Sequence, residues 1–212
     1  MNWHSQKLLV DPTVLLTLQS DCIDRWHQGP LEHNYQSGLG LVADQLVFNF
    51  QLWHEEDQAR SPDASDATIA SVKRSIDRLN QQRHDAIERI DEWIADQLAS
   101  LPPNPDVAAV DTLPLNSETP GSVIDRLGIL ALRIYHLHEQ HEREEIDDQL
   151  RTSIAQKLII CQHQQHDLAI ALQQLLDDLC QGRKRHKTYR QLKMYNDPNL
   201  NPFLYRNRKG LA

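Results

Sequence analysis

Residues 118–140 constrain the fold more than any other part of the chain. The run reads Glu118-Thr-Pro-Gly-Ser-Val-Ile-Asp-Arg-Leu-Gly-Ile-Leu-Ala-Leu-Arg-Ile-Tyr-His-Leu-His-Glu-Gln140. Thr119 can cap a helix, and Pro120 suits the first helical position, where a missing N–H costs nothing. From Val123 to Leu137 most positions are apolar, so a helix here must be covered by neighbours on most of its sides. The same turns carry Asp125, Arg126, Arg133 and His136. At 100° per residue these four share roughly a third of the circumference, a polar stripe along a largely buried rod. Charges in such a place must be paired or hydrated, so the stripe is either a buried ion-pair network or the wall of a site.

The rest of the chain supplies the helices needed to cover that rod. Asp11-Pro12 opens a first helix, with Val14, Leu15, Leu18, Cys22 and Trp26 at helical spacing and Gly29-Pro30 at its end. A second runs from about Tyr35 to Arg60 on a seam of Leu39, Val42, Leu46, Phe50 and Trp53. A third runs from a cap at Asp66 to about Leu101, its seam formed by Ile69, Val72, Ile76, Leu79, Ile87, Ile90, Ile94 and Leu98. Asn80 and Arg83 fall on that seam where aliphatic residues are expected. Pro102-Pro103-Asn104-Pro105 stops it, and residues 102–117 read as an extended connection. After the helix at 120–140, a fifth runs from about Asp147 to Cys180 and closes at Gly182. The expectation is an all-α fold: an antiparallel bundle of four long helices plus a short N-terminal helix, occupying residues 1–182. Only seven Gly and three Phe among 212 residues fit helix better than sheet.

Residues 183–212 form a basic C-terminal arm. They carry nine Lys or Arg and one acid, although the whole chain has a formal charge of −8. Tyr189, Tyr195, Phe203 and Tyr205 punctuate the arm, Asn196-Asp197-Pro198 and Asn201-Pro202 force turns, and residues 187–192 could make a helical turn or two. Docking of the arm onto the acidic bundle is the favoured reading, delivering Lys193, Tyr195 or Asn196 to a shared cleft. Binding of nucleic acid is disfavoured, because the body would repel a phosphate backbone. Cys22, Cys161 and Cys180 show no framework spacing, consistent with reduced thiols in a cytoplasmic protein. No signal-peptide pattern and no apolar run of membrane-spanning length is visible.

Four runs are distinctive together: Phe50-Gln-Leu-Trp-His-Glu-Glu-Asp-Gln-Ala-Arg60, Ile76-Asp-Arg-Leu-Asn-Gln-Gln-Arg-His-Asp-Ala-Ile-Glu-Arg-Ile-Asp91, Asn116-Ser-Glu-Thr-Pro-Gly-Ser-Val-Ile-Asp-Arg-Leu127 and Gln191-Leu-Lys-Met-Tyr-Asn-Asp-Pro-Asn-Leu-Asn-Pro202. In these the chain resembles the bacterial family catalogued as domain of unknown function 4254, over nearly its whole length. The resemblance implies a bacterial, mostly helical, single-domain protein and supplies no reaction.

Three constellations can carry chemistry. At the end of the second helix, Asp57 and Arg60 continue the Phe50–Trp53 seam; facing inward, Asp57 is a ligand for Mg²⁺ or Mn²⁺, and facing outward it is half of an i,i+3 ion pair. On the third helix Asp77, His84, Glu88 and Asp91 line one face, able to hold a metal or position a water, or else forming a charged boundary. At the start of the fourth, Thr119, Gly121 and Ser122 offer backbone N–H groups and the positive end of a helix dipole, with Arg126 one turn on. That is an anion site in outline, or simply a cap.

Joined, they give one polar cleft. As a metal-dependent phosphohydrolase, the chain would use Asp57 and Glu88 as the catalytic carboxylates, and Asp57, Glu88 and Asp91 would bind the metal. Asn80, Arg83, Thr119, Gly121, Ser122, Arg126 and Lys193 would hold a phosphorylated small molecule, a nucleotide or sugar phosphate. The rival reading is a non-enzymatic scaffold or interaction protein in which Asp57, Arg83, Asp125 and Arg126 form a structural network. The pairs His138/His141 and His163/His166 lack a diagnostic partner such as HExxH and read as surface histidines. Long amphipathic helices also make a homodimer compatible with the pattern.

Overall fold

The computed structural model describes residues 10–102, 110–192, 194 and 197–205. Five helices dominate: α1 (Pro12–Trp26), α2 (Ser37–Ala59), α3 (Asp66–Ala99), α4 (Pro120–Glu142) and α5 (Asp148–Cys180), followed by a short α6 (Pro202–Tyr205). Short connections at 60–65 and 143–147 make α2–α3 and α4–α5 into helical hairpins. These two pairs make the most extensive contacts; α1 lies against α4, α2 and α5, and α2 and α3 also meet α4. The fold is the expected bundle of four long helices with a shorter N-terminal one. No strand occurs among the described residues, only an isolated parallel bridge between Leu115 and Arg185.

Local chemistry explains the helix ends. Asp11 accepts from the Thr13 N–H ahead of Pro12, and Asp147 from the Leu150 N–H. The third helix is capped by Ser65, which accepts from the Thr68 N–H, and not by Asp66.

The main core is built where α4 crosses its neighbours. Leu15, Ile23, Leu46, Ile90, Ile94, Ile124, Leu127, Leu132, Leu172 and Leu176 lie within it, each almost fully buried. A smaller cluster of Leu52, Val72, Ile76 and Leu79 closes the far end of the α2–α3 hairpin. Two expected seam residues fall outside: Val14 and Ile69, each in the first turn of its helix, are exposed.

Gly128 marks a close approach of α4 to α1 and α2. A Cβ there would meet Leu46 Cδ1 at 3.0 Å, Asn49 Nδ2 at 3.2 Å and Gln19 Nε2 at 3.4 Å. Of those three atoms, two are amide nitrogens that belong to the polar interior described next.

Candidate functional site

The polar stripe of α4 divides into two. Asp125 is buried and Arg126 exposed, with His136 half-buried and Arg133 exposed. Asp125 and His136 differ by only about 20° around the helix, and the two arginines lie some 60–100° further round. Thus one edge of the stripe enters the bundle and the other faces outward.

Inside, Asp125 Oδ1 accepts from Gln45 Nε2 at 2.5 Å and from Asn49 Nδ2 at 3.0 Å. Gln19 Nε2 donates to the Ile124 carbonyl at 3.2 Å, one residue away. Arg83 Nε stands 3.9 Å from Asp125 Oδ1, an ion pair without a hydrogen bond. Burial pushes the Asp125 carboxyl above its ordinary pKa, against the opposing pull of Arg83, Asn49 and His84.

Arg83 also borders a groove open to solvent between α2, α3 and α4. Its volume is about 450 Å³, and its walls are Asn49, Leu52, Trp53, Glu56, Asp57, Arg60, Asn80, Arg83, Ile129 and Leu132. The expected cleft residues Asp57, Asn80 and Arg83 therefore do share one cavity. Arg60 and Glu56 pair there at 2.9 Å.

The remaining expected members lie elsewhere. Glu88 Oε1 accepts from the Gln191 N–H at 2.9 Å, which engages it with the arm. Asp91 is buried beneath the start of α4, where its Oδ1 accepts from the Gly121 N–H at 2.7 Å. Asp57, Glu88 and Asp91 thus do not assemble as a metal set, because Asp91 is committed to a helix start and Glu88 to the arm. Arg126 turns outward onto Glu118 at 2.6 Å and borders a separate groove against α5. His84 Nδ1 lies 2.6 Å from the Asn80 carbonyl, and Asp77 pairs with Lys73. The acid–imidazole column on α3 is consequently dispersed into local partnerships.

The start of α4 is saturated as well. Thr119 and Ser122 form a reciprocal capping box, the Thr119 N–H donating to Ser122 Oγ at 3.0 Å and the Ser122 N–H to Thr119 Oγ1 at 3.2 Å. With Gly121 N–H given to Asp91, the donors expected to hold a phosphate at Thr119, Gly121 and Ser122 are spent inside the protein. Asp91 takes the place an external anion would need.

That carboxylate is itself perturbed. Burial raises the Asp91 pKa from 3.8 to about 6, opposed by hydrogen bonds from Thr119 and Gly121, with Glu88 adding to the rise. A carboxyl with a higher pKa folded than unfolded stabilises the fold in its protonated form. Its contribution is fully present below about pH 4 and is lost as pH rises through about 6. Asp91→Asn keeps an acceptor for Gly121. Its stability relative to wild type should therefore improve by about 2–3 kcal/mol between pH 4 and pH 7.5, from 1.36 kcal/mol per pKa unit. Chemical denaturation of both proteins across that range measures the difference, and a flat profile would contradict the assignment.

The arm lies along the bundle through backbone and charge. Arg190 pairs with Glu92 at 3.1 Å, Arg183 and Lys184 with Asp178 at 2.7 and 3.0 Å, and the Arg185 guanidinium donates to the Leu113 carbonyl at 3.1 Å. The expected helical turns over 187–192 are not formed, and Tyr189 and Phe203 are exposed, so aromatic burial is not what holds these segments. Lys193, Tyr195 and Asn196 fall outside the described residues, as does the chain from Arg206 onward.

A second cluster was not singled out from the sequence. His27 at the end of α1, His54 on α2 and His136 on α4 offer ring nitrogens that all lie within 4.8 Å of one another. It is the one such His/Cys/Asp/Glu group among the described residues. His27 stacks on Tyr135, with centroids 4.0 Å apart and planes 13° from parallel, and His136 stacks on Trp53 at 4.8 Å and 11°. Burial, with His27 and His136 adding to it, lowers the His54 pKa. A signal did exist: each histidine lies four residues beyond a core residue, Ile23, Phe50 or Leu132, and so extends an apolar seam by one turn. Gln19, Gln45 and Asn49 likewise follow the core residues Leu15, Val42 and Leu46 by four, three and three positions on α1 and α2.

Among the described residues, no helix is long and apolar enough to cross a membrane. No curated protein and no solved structure matches the chain. A family model described as Protein of unknown function (DUF4254) does match, over residues 39–188, from α2 to the beginning of the arm. The matched span contains the Asp125 network and every wall of the groove beside it. On that match the chain belongs to the DUF4254 family.

Proposed function

We propose that the groove between α2, α3 and α4 binds a phosphorylated small molecule, a nucleotide or sugar phosphate, with Arg83 as the anion-binding side chain. The observation that carries this is the state of Arg83. Its Nε is buried without a hydrogen-bond partner, its ion-pair partner Asp125 stands at 3.9 Å, and its side chain borders an open cavity. A guanidinium is a planar, permanently charged donor suited to two phosphate oxygens at once. Asn49 and Asn80 add amide groups to the same wall, and Trp53 adds an aromatic surface for a base or sugar ring.

Asp57 lies in the same groove and suits a role with Mg²⁺ or Mn²⁺, which are commonly held by one or two carboxylates together with substrate phosphates. With Glu88 turned to the arm, the proposal concerns binding and assigns no hydrolytic step.

Thermal melts with inorganic phosphate, nucleoside mono- and diphosphates and sugar phosphates, with and without Mg²⁺, test it. At least one compound is expected to raise the melting temperature of wild type by several degrees and to leave Arg83→Gln unmoved. No shift across the panel would remove the proposal.

A second reading keeps the charged residues structural, as in a non-enzymatic helical scaffold. It is favoured by the way Gln45 and Asn49 converge on Asp125 Oδ1 without any ligand. On that reading Arg83→Gln changes the melting temperature but no compound does.

A further inference from the structure

We propose that His27, His54 and His136 form a three-histidine site for a zinc-class divalent cation, linking α1, α2 and α4 independently of what the neighbouring groove binds. The argument begins with the hydrogen atoms. His27 Nδ1 is 2.8 Å from the Ile23 carbonyl, which can only accept, so Nδ1 carries the proton. His136 Nδ1 is 2.7 Å from Glu139 Oε2, and a carboxylate likewise accepts. Both rings are thereby fixed in the tautomer whose Nε2 holds a lone pair, and both Nε2 atoms are buried with no hydrogen-bond partner.

Two lone pairs left without donors in a protein interior are costly, and one ring nitrogen from each of these histidines and from His54 lies within 4.8 Å of the others. A cation held by the three rings satisfies both at once. The arrangement of a carbonyl on one ring and a carboxylate on another is the outer support that metal-ligating histidines characteristically have, holding the ring orientation and raising its basicity.

The donor set chooses the metal. Three imidazoles suit Zn²⁺ and its neighbours in the first transition row, whereas Mg²⁺ and Ca²⁺ require oxygen ligands. With Zn–N of about 2.0–2.1 Å, tetrahedral coordination places nitrogens about 3.3 Å apart, so from their present limit of 4.8 Å the nitrogens close by about 1.5 Å. Three protein nitrogens leave a fourth position for water or for a donor atom of a small molecule. Tyr135 and Glu139, which hold His27 and His136, also line an acidic groove between α1, α4 and α5 with Asp21, Asp24 and Glu142. Its negative potential favours the approach of a cation.

The test uses the full chain after treatment with a chelator. Calorimetric titration with ZnCl₂ should give one equivalent per chain, Zn²⁺ should raise the melting temperature by several degrees, and Mg²⁺ should do neither. Cobalt(II) in place of zinc should give the visible absorption of a four-coordinate nitrogen site. His54→Phe retains an aromatic ring in the same packing and cannot ligate; it should melt near the wild-type temperature without metal and lose the zinc response. The α5 variant His163→Ala/His166→Ala, altered only at exposed histidines, should keep it. Absence of stoichiometric zinc binding, an unchanged response in His54→Phe, or an equal response to Mg²⁺ would overturn the proposal. Should Arg83→Gln abolish phosphate binding and leave zinc binding intact, the two sites are separate as stated; loss of zinc binding in that variant would also count against it.

Discussion

Asp125→Ala should lose about 3–5 kcal/mol of stability, the range found when one member of a buried charged network is removed. The substitution leaves Gln45 Nε2 and Asn49 Nδ2 aimed at an empty space and removes the carboxylate opposite Arg83. Arg83 recovers part of its solvation, because its side chain reaches the groove. Gln45 is fully buried and Asn49, although it borders the groove, is only 3% exposed, so their amides recover little, which is where most of the cost arises. Asp125→Asn separates charge from hydrogen bonding. It keeps an acceptor for both amides, and because burial already penalises the ionised form of Asp125, neutralising it removes an opposing cost. Its loss should be less than half that of the alanine variant. Urea denaturation of both variants measures the ratio, and equal losses would show that the charge pair with Arg83 dominates instead of the amide contacts.

Gly121→Ala should cost about 2–4 kcal/mol, although alanine is the better helix former. A Cβ at this position would stand 2.8 Å from the Ile87 carbonyl and 2.8 Å from Asp91 Oδ1. One of these is backbone of α3 and cannot swing aside. The helices must separate, which costs about 1–3 kcal/mol for overpacking, and the bond from Gly121 N–H to Asp91 is strained or lost for about another 1 kcal/mol. A variant as stable as wild type would show that the contact between α3 and α4 at this point is looser than these distances imply.

The two predictions share a physical origin in how closely α4 is approached. Gly121 and Gly128 have no side chain, so α3 comes against α4 at one and α1 and α2 at the other. That proximity lets Asp91 reach a helix N–H, and lets Gln19, Gln45 and Asn49 reach the backbone and side chain around Asp125. Specificity of register follows from such contacts, since a shift of one residue would break several hydrogen bonds together.

The helices, their order and most of their ends were legible in the sequence by itself, because they depend on local quantities: apolar recurrence near 3.6 residues, a capping side chain, a proline or a glycine. The anomaly of α4 was legible too, and so was the presence of Asn80 and Arg83 on an apolar seam, which the groove explains. Which edge of the α4 stripe turns inward was not. Asp125 and Arg126 are neighbours in the chain, and only the positions of α2 and α3 make one of them a buried acceptor and the other a surface partner of Glu118. Asp91 and the start of α4 each looked like a binding group in isolation; brought together, they satisfy one another. The three histidines show the converse. Each extends a seam unremarkably on its own helix, and only the convergence of three helix segments at one level of the bundle makes them a cluster. Periodicity specifies the face a residue occupies, whereas the partner it meets depends on the height and rotation of a neighbouring helix, and those are set by packing over the whole core.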